Sequence, residues 1–146
     1  MSRKATVKPF SHQFAIEGKE FFDAGKVSTE IKRMLQELGV HSDIVRRVAI
    51  AMYEAEMNVV MYAEKAIVTM ELSPKAIKIV VDDQGPGIAD VQLAMQEGYS
   101  TATAEMREMG FGAGMGLPNI KKNADEFTIK SVVGKGTELE IMIHLN

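Results

Sequence analysis

Over residues 20–38, apolar side chains recur at helical spacing: Phe21, Phe22, Val27, Ile31, Met34, Leu35 and Leu38. Steps of three and four residues gather them on one stripe of a helix, and Gly39 supplies the left-handed residue that commonly ends one. A longer helix is predicted over residues 42–63, with Ser42 as N-cap and Asp43 in the first turn, where a negative charge meets the helix dipole. The period then changes. Val68, Met70 and Leu72 alternate with Thr69 and Glu71, Ser73-Pro74-Lys75 turns the chain, and Ile77, Ile79 and Val81 alternate in return, which reads as a β-hairpin. Residues 10–16 predict an earlier strand, 90–97 a short helical stretch and 117–125 a third helix. A closing hairpin is expected from 127–133 and 137–145 around the turn Gly134-Lys135-Gly136. Residues 83–116 hold more than half of the 12 glycines and little β pattern, a span too long for an inert connection. This order predicts one α+β domain over residues 1–146: a two-layer α/β sandwich with one mixed, mostly antiparallel sheet and helices on one face.

Polar residues at apolar positions carry the chemistry. On the long helix, Ile50, Met57 and Met61 mark one face, and Glu54 and Asn58 interrupt it at +4 and +8. Side chains four apart stack on one face, so a carboxylate and an amide would point together into a shared cavity, where burial demands a ligand, metal or hydrogen-bond partner. A place at the solvent boundary of the stripe fits the same spacing, and this helix alone does not decide between them. Asp83 follows Ile77, Ile79 and Val81 on one face of its strand, whereas Asp82 falls on the other. Gln84-Gly85-Pro86-Gly87 comes next, with glycines that permit turns and close approach of a ligand. Thr137 shares its face with Leu139, Ile141 and Ile143. The run Gly110-Phe111-Gly112-Ala113-Gly114-Met115-Gly116-Leu117 places alternate glycines directly before a helix, where free amides and the helix dipole favour an anion. It lacks the Lys-Ser/Thr ending of a P-loop and the preceding strand of a dinucleotide fingerprint.

Composition narrows the classes. At 146 residues and 46% hydrophobic content the chain can bury one sizeable core. Twenty acidic against 17 basic residues, for a net charge of −3, argue against nucleic acid as a partner. Absence of cysteine rules out disulfides and thiolate metal sites. No apolar run approaches the roughly 20 residues of a membrane span, and the first 30 residues lack a signal-peptide pattern, so a cytoplasmic protein without membrane contact is expected. The 11 methionines read as adaptable core filler.

Four motifs in this order resemble the GHKL (Bergerat-fold) ATPase superfamily: Glu54-Ala55-Glu56-Met57-Asn58, Asp83-Gln84-Gly85-Pro86-Gly87, Gly112 to Leu117, and Gly134-Lys135-Gly136-Thr137. Tyr53-Glu54, residues 58–63 and 83–90, and Gly98-Tyr99-Ser100-Thr101 are similar to the small serine/threonine kinases and anti-sigma factors of bacterial partner-switching pathways. The resemblance implies ATP and Mg²⁺ as cofactors. It implies Glu54 as catalytic base, Asn58 as Mg²⁺ ligand, Asp83 as acceptor for the adenine amino group, and Thr137 as its support through water. Gly85, Gly87, Gly112, Gly114, Gly116 and Leu117 would line the nucleotide, and Ser100 and Thr101 stand where the ATP lid begins, with plain lid spacing the alternative.

The same resemblance implies an antagonist (anti-anti-sigma-like) domain protein as substrate and partner, with a sigma factor or phosphatase as further partners, and it allows a homodimer. The chain has no room for a phosphoacceptor-histidine helix pair, and His12, His41 and His144 are scattered, so autokinase activity is not expected. Tyr62 stands where many anti-sigma members carry histidine, which favours the switch-kinase branch. A regulator-binding module controlled by ATP is the competing expectation; an intact Glu54 favours the kinase.

Overall fold

The computed structural model describes residues 10–97 and 116–145. Strands β1 (Phe10–Glu17), β2 (Lys65–Leu72), β3 (Ala76–Gln84), β4 (Glu126–Val132) and β5 (Gly136–His144) form one sheet in the order β1-β2-β3-β5-β4. Every pairing is antiparallel, which corrects the expectation of a mixed sheet among the described residues. The reason is positional. β5 rather than β4 lies beside β3, so the second hairpin presents its returning strand, and no parallel neighbour arises.

Alternation along the strands sorts the two faces as predicted. Val68, Met70, Ile77, Ile79, Val81, Leu139, Ile141 and Ile143 are buried on one face, aligned by pairs such as Ile79↔Ile141 and Val81↔Leu139. Helices α1 (Lys26–Glu37), α2 (Ser42–Tyr62) and α4 (Gly116–Asn123) cover that face and add Ile31, Leu35, Val48, Met52, Val59 and Ile120 to the core. A short α3 (Val91–Ala94) occupies part of the predicted 90–97 stretch, capped by Asp90, whose side chain accepts from the Leu93 amide at 3.0 Å. Met52, Met57, Met61 and Met70 are buried, as core filler should be. Ser73 holds the β2–β3 turn by accepting from the amides of Lys75 and Ala76.

Two helix starts differ from the periodic reading. The stretch from residue 20 does not form a continuous helix: Phe21–Asp23 is a 3₁₀ turn, and α1 begins only at Lys26. Gly25, with φ +93°, breaks the run, and Phe22 stands fully exposed instead of joining the apolar stripe. In α2 the cap is His41, whose Nδ1 accepts from the Asp43 amide at 3.1 Å, while Ser42 is already helical. An imidazole nitrogen thus takes the place expected for a hydroxyl.

Gly25 has no side chain with which to cap α1, and the cap comes from another helix. Glu56 of α2 is 1% exposed, and its carboxylate accepts from Val27 N at 3.1 Å and Ser28 N at 2.8 Å. A buried carboxylate is tolerated there because two unpaired amides and the positive end of the helix dipole meet it. Glu56→Gln leaves one carbonyl acceptor, removes the charge and turns an amide donor toward two others. It should cost about 1–3 kcal/mol of unfolding free energy in urea denaturation. An unchanged midpoint would show that the interaction contributes nothing net.

Candidate functional site

At one end of the sheet, two glycine motifs close into a single unit. Alternation carries Asp83 to the inner side of β3, where it is half-buried, while Asp82 is exposed on the other side. Thr137 lies 54 positions away, and its amide donates to Asp83 Oδ1 at 3.0 Å. Burial pushes the Asp83 carboxyl above the usual carboxylate range; the Thr137 amide opposes that rise and the charge of Asp82 adds to it. Gly136 makes the approach possible: at φ +152°, a Cβ there would collide with the Asp83 backbone carbonyl. The 84–87 turn is tied to the β4–β5 hairpin by Gly85 N to Lys135 O at 3.1 Å and Gly134 N to Pro86 O at 2.8 Å. Gly87, at φ +76°, packs against the Val132 backbone.

Thr137 is buried, and its hydroxyl lies 2.8 Å from Ser131 Oγ, which also accepts from Ile88 N at 2.7 Å. Ser131 therefore joins the turn, β4 and Thr137. Sequence reasoning passed over it, although alternation places it on the same face as Phe127 and Ile129.

The second cluster lies on α2. Glu54 and Asn58 are both partly buried, one turn apart, beside Met57 and Met61, which are buried, and Ile50, which is partly exposed. Val45, Val48, Ala51, Met52, Ala55 and Val59 form a separate buried stripe, and with Glu56, Met57, Val60 and Met61 they leave α2 buried over most of its circumference. The first turn of α4 lies over the two polar residues. A Cβ at Gly116 would stand 3.2 Å from Asn58 Oδ1 and 3.4 Å from Nδ2, so the missing side chain lets the start of α4 come close to the Asn58 amide. Asn119 Nδ2 donates to Glu54 Oε2 at 3.0 Å, a contact that nothing in the sequence signalled. Leu117, the next residue of α4, is buried.

Both clusters border the C-terminal half of α2. A Cβ at Gly85 would meet Ala63 Cα at 3.1 Å and Asp83 Oδ1 at 3.2 Å, so the 84–87 turn sits against the end of the helix that carries Glu54 and Asn58. Ser100, Thr101, Gly112 and Gly114 lie outside the described residues. Among the described residues, no cluster of three or more His, Asp or Glu side chains could hold a metal, and no helix is long and apolar enough to cross a membrane. His12 lies beside Phe14, with ring centroids 4.6 Å apart, and His144 pairs with Glu126 at 2.9 Å on the surface. Neither joins the site.

Residues 23–143 match the histidine kinase-like ATPase domain family, from the 3₁₀ turn through β5. Over 113 residues the chain is 35% identical to the serine/threonine-protein kinase RsbT of Bacillus subtilis (strain 168), which covers 75% of this chain and 79% of that protein. It is 35% identical over 92 residues to the anti-sigma F factor of Thermoanaerobacter sp. (strain X514), covering 60% of this chain and 61% of that protein. Its fold is similar to the crystal structure of the RsbU and RsbW domains of Rv1364c from Mycobacterium tuberculosis, with TM-score 0.59 and 15% identity over 90% of this chain and 32% of that one. With a half-buried aspartate held at the sheet end and a Glu–Asn pair beneath a glycine-led helix, the chain belongs to the histidine kinase-like ATPase domain family.

Proposed function

We propose that this chain is an ATP-binding serine/threonine-protein kinase of a bacterial partner-switching pathway, phosphorylating a small antagonist domain. The observation that carries the reading is the pairing of α2 with the start of α4: the Asn58 amide faces Gly116, and Glu54 sits one turn away with one oxygen fixed by Asn119. Such a pair suits phosphoryl transfer, which needs a place for charge neutralisation beside an acceptor for one proton.

Asp83 accepts the adenine amino group, with Oδ1 held by the Thr137 amide and the Ser131–Thr137 hydroxyls close by. The glycines at 85 and 136 let backbone approach that carboxylate where any side chain would crowd it. The Asn58 side-chain oxygen would hold Mg²⁺, which would supply charge neutralisation at the phosphates. Glu54 takes the proton of a seryl or threonyl hydroxyl. That oxygen bonds to the γ-phosphorus, the bond to the β–γ bridging oxygen breaks, and ADP leaves. The backbone amides from Gly112 to Gly116 and Leu117, with Ser100 and Thr101 of the lid, complete the phosphate contacts in this reading. The partner is an antagonist domain protein; a sigma factor or phosphatase, a homodimer and a cytoplasmic location belong to the same proposal. Similarity to an anti-sigma F factor favours one alternative, a regulator-binding module controlled by ATP without significant kinase activity.

Calorimetry should detect Mg-ATP with affinity in the micromolar range, about −8 kcal/mol. GTP presents a carbonyl where adenine has an amino group, so it should bind poorly. Asp83→Asn should weaken ATP by on the order of 1–3 kcal/mol, the cost of mispairing a buried polar group. Equal affinity for ATP and GTP would contradict the assigned role of Asp83.

The raised Asp83 pKa also predicts a stability effect without nucleotide. A carboxyl whose folded-state pKa exceeds its unfolded value contributes stability below the unfolded value and loses it as pH rises through the folded one. Asp83→Asn keeps an oxygen for the Thr137 amide and removes the charge. Urea midpoints of wild type and variant should lie close in acid, then separate as pH rises through the elevated pKa, with the variant more stable at pH 7. A difference independent of pH would refute the burial penalty.

Glu54→Gln should leave Mg-ATP binding nearly unchanged and reduce phosphoryl transfer by roughly 10²- to 10⁴-fold. A binding module would instead hold its partner equally well in both forms, and neither would phosphorylate it. Full kinase activity in the variant would eliminate Glu54 as the base.

A further inference from the structure

We infer that Asn119 is a positioning residue for Glu54, holding one carboxylate oxygen so that the other faces the hydroxyl to be deprotonated. The inference deepens the kinase reading and rests on its assignment of Glu54. Asn119 Nδ2 donates to Glu54 Oε2 at 3.0 Å across 65 positions of sequence. A glutamate on a half-buried helix face has three side-chain torsions, and fixing one oxygen removes most of that freedom before the reaction begins.

The donor is itself immobilised. Leu117, Pro118 and Ile120 on either side of Asn119 are buried. The Asn119 carbonyl accepts from Asn123 Nδ2 at 2.9 Å, and the Asn123 carbonyl accepts from Arg47 Nε at 3.0 Å. Three contacts therefore run antiparallel between the helices: Asn58 with Gly116, Glu54 with Asn119, and Arg47 with Asn123. α4 cannot slide along α2 without breaking all three.

The chemistry of the donor matters as much as its place. A lysine or arginine at 119 would pair with the carboxylate and hold its charge, making it a poorer proton acceptor. An amide orients the carboxylate without adding a positive charge. The lysines that follow do not take this role: Lys121 is exposed, and Lys122 pairs with Glu97 at 2.9 Å on the surface. The Asn119 side-chain amide spends its Nδ2 on Glu54, so its effect in this reading passes through that carboxylate.

The test uses the full chain, Mg-ATP with a labelled γ-phosphate, and the antagonist-domain protein that the wild type phosphorylates. Asn119→Ala and Asn119→Leu should each lower kcat on the order of 10- to 100-fold, the usual consequence of a misplaced reacting group, with KM for Mg-ATP within about twofold. Combined with Glu54→Gln, Asn119→Ala should cause no further loss, because its effect needs the carboxylate. Wild-type kcat in both Asn119 variants, or the same fold-loss in the Glu54→Gln background, overturns the positioning role. A raised KM at unchanged kcat does so too, since it marks a nucleotide contact. If Asn119→Ala fails to fold by circular dichroism, Asn119→Leu, which keeps the size and removes the Nδ2 donor without adding a charge, decides the question. Full activity of Glu54→Gln alone defeats the underlying base assignment, an outcome separable from failure of the Asn119 link.

Discussion

A buried carboxylate sets the geometry of this domain. Glu56 accepts from the amides that open α1, and it can do so only if α2 is rotated to bring that side chain to the α1 flank. Successive residues of a helix are separated by roughly 100°, so residues two before and two after Glu56 project from nearly the opposite side of the cylinder. Those residues are Glu54 and Asn58. The interaction on the α1 side thus goes with a rotation of α2 that turns Glu54 and Asn58 toward Gly116 and Asn119 of α4. The buried charge stabilises α1, and by setting the helix rotation it also supports the site.

The sheet end follows a different economy. Asp83 sits where burial raises its pKa, and a single backbone amide opposes that rise. A neutral isostere would be better suited to folding alone. The carboxylate makes sense when a ligand brings the donors that the protein withholds, and the surroundings keep the position open: glycines at 85 and 136, a hydroxyl pair at Ser131 and Thr137, and a turn tied to a hairpin. In our reading this arrangement concentrates ligand affinity and local instability in the same few residues.

The helix that carries catalysis in our reading also joins these two regions. Ala63, its C-cap, lies against Gly85, while Asn58 and Glu54 lie beneath α4. In that reading the phosphate residues sit on α2, and the turn that follows Asp83 rests against its C-cap. Gly18 contributes from the other side, donating its amide to the Glu64 carbonyl, and the Lys19 ammonium donates to the Met61 carbonyl at 2.6 Å, closing the C-terminal end of α2.

Much of this was legible in the chain because it depends on local periodicity. Alternation in β2, β3 and β5 fixed which side chains enter the core and turned Asp83 and Thr137 inward, and helical spacing put Glu54 and Asn58 on one face. The 84–87 motif flagged turns and close approach at Gly85, and Gly134-Lys135-Gly136 signalled a turn. What local pattern could not supply was the identity of distant partners. The apolar run from residue 20 concealed the break at Gly25 because spacing does not report a backbone dihedral. Ser42 looked like a cap, but the imidazole of His41 reached the Asp43 amide first. Strand order decided that every described pairing is antiparallel, and strand order is a property of the whole sheet. Glu56, Ser131 and Asn119 are polar residues whose meaning comes from amides, hydroxyls and carboxylates that lie 28, 43 and 65 positions away. The sequence alone determined which faces are apolar and which polar groups interrupt them; only the tertiary structure decided what those groups meet, because a hydrogen bond is satisfied by proximity in space and leaves no period along the chain.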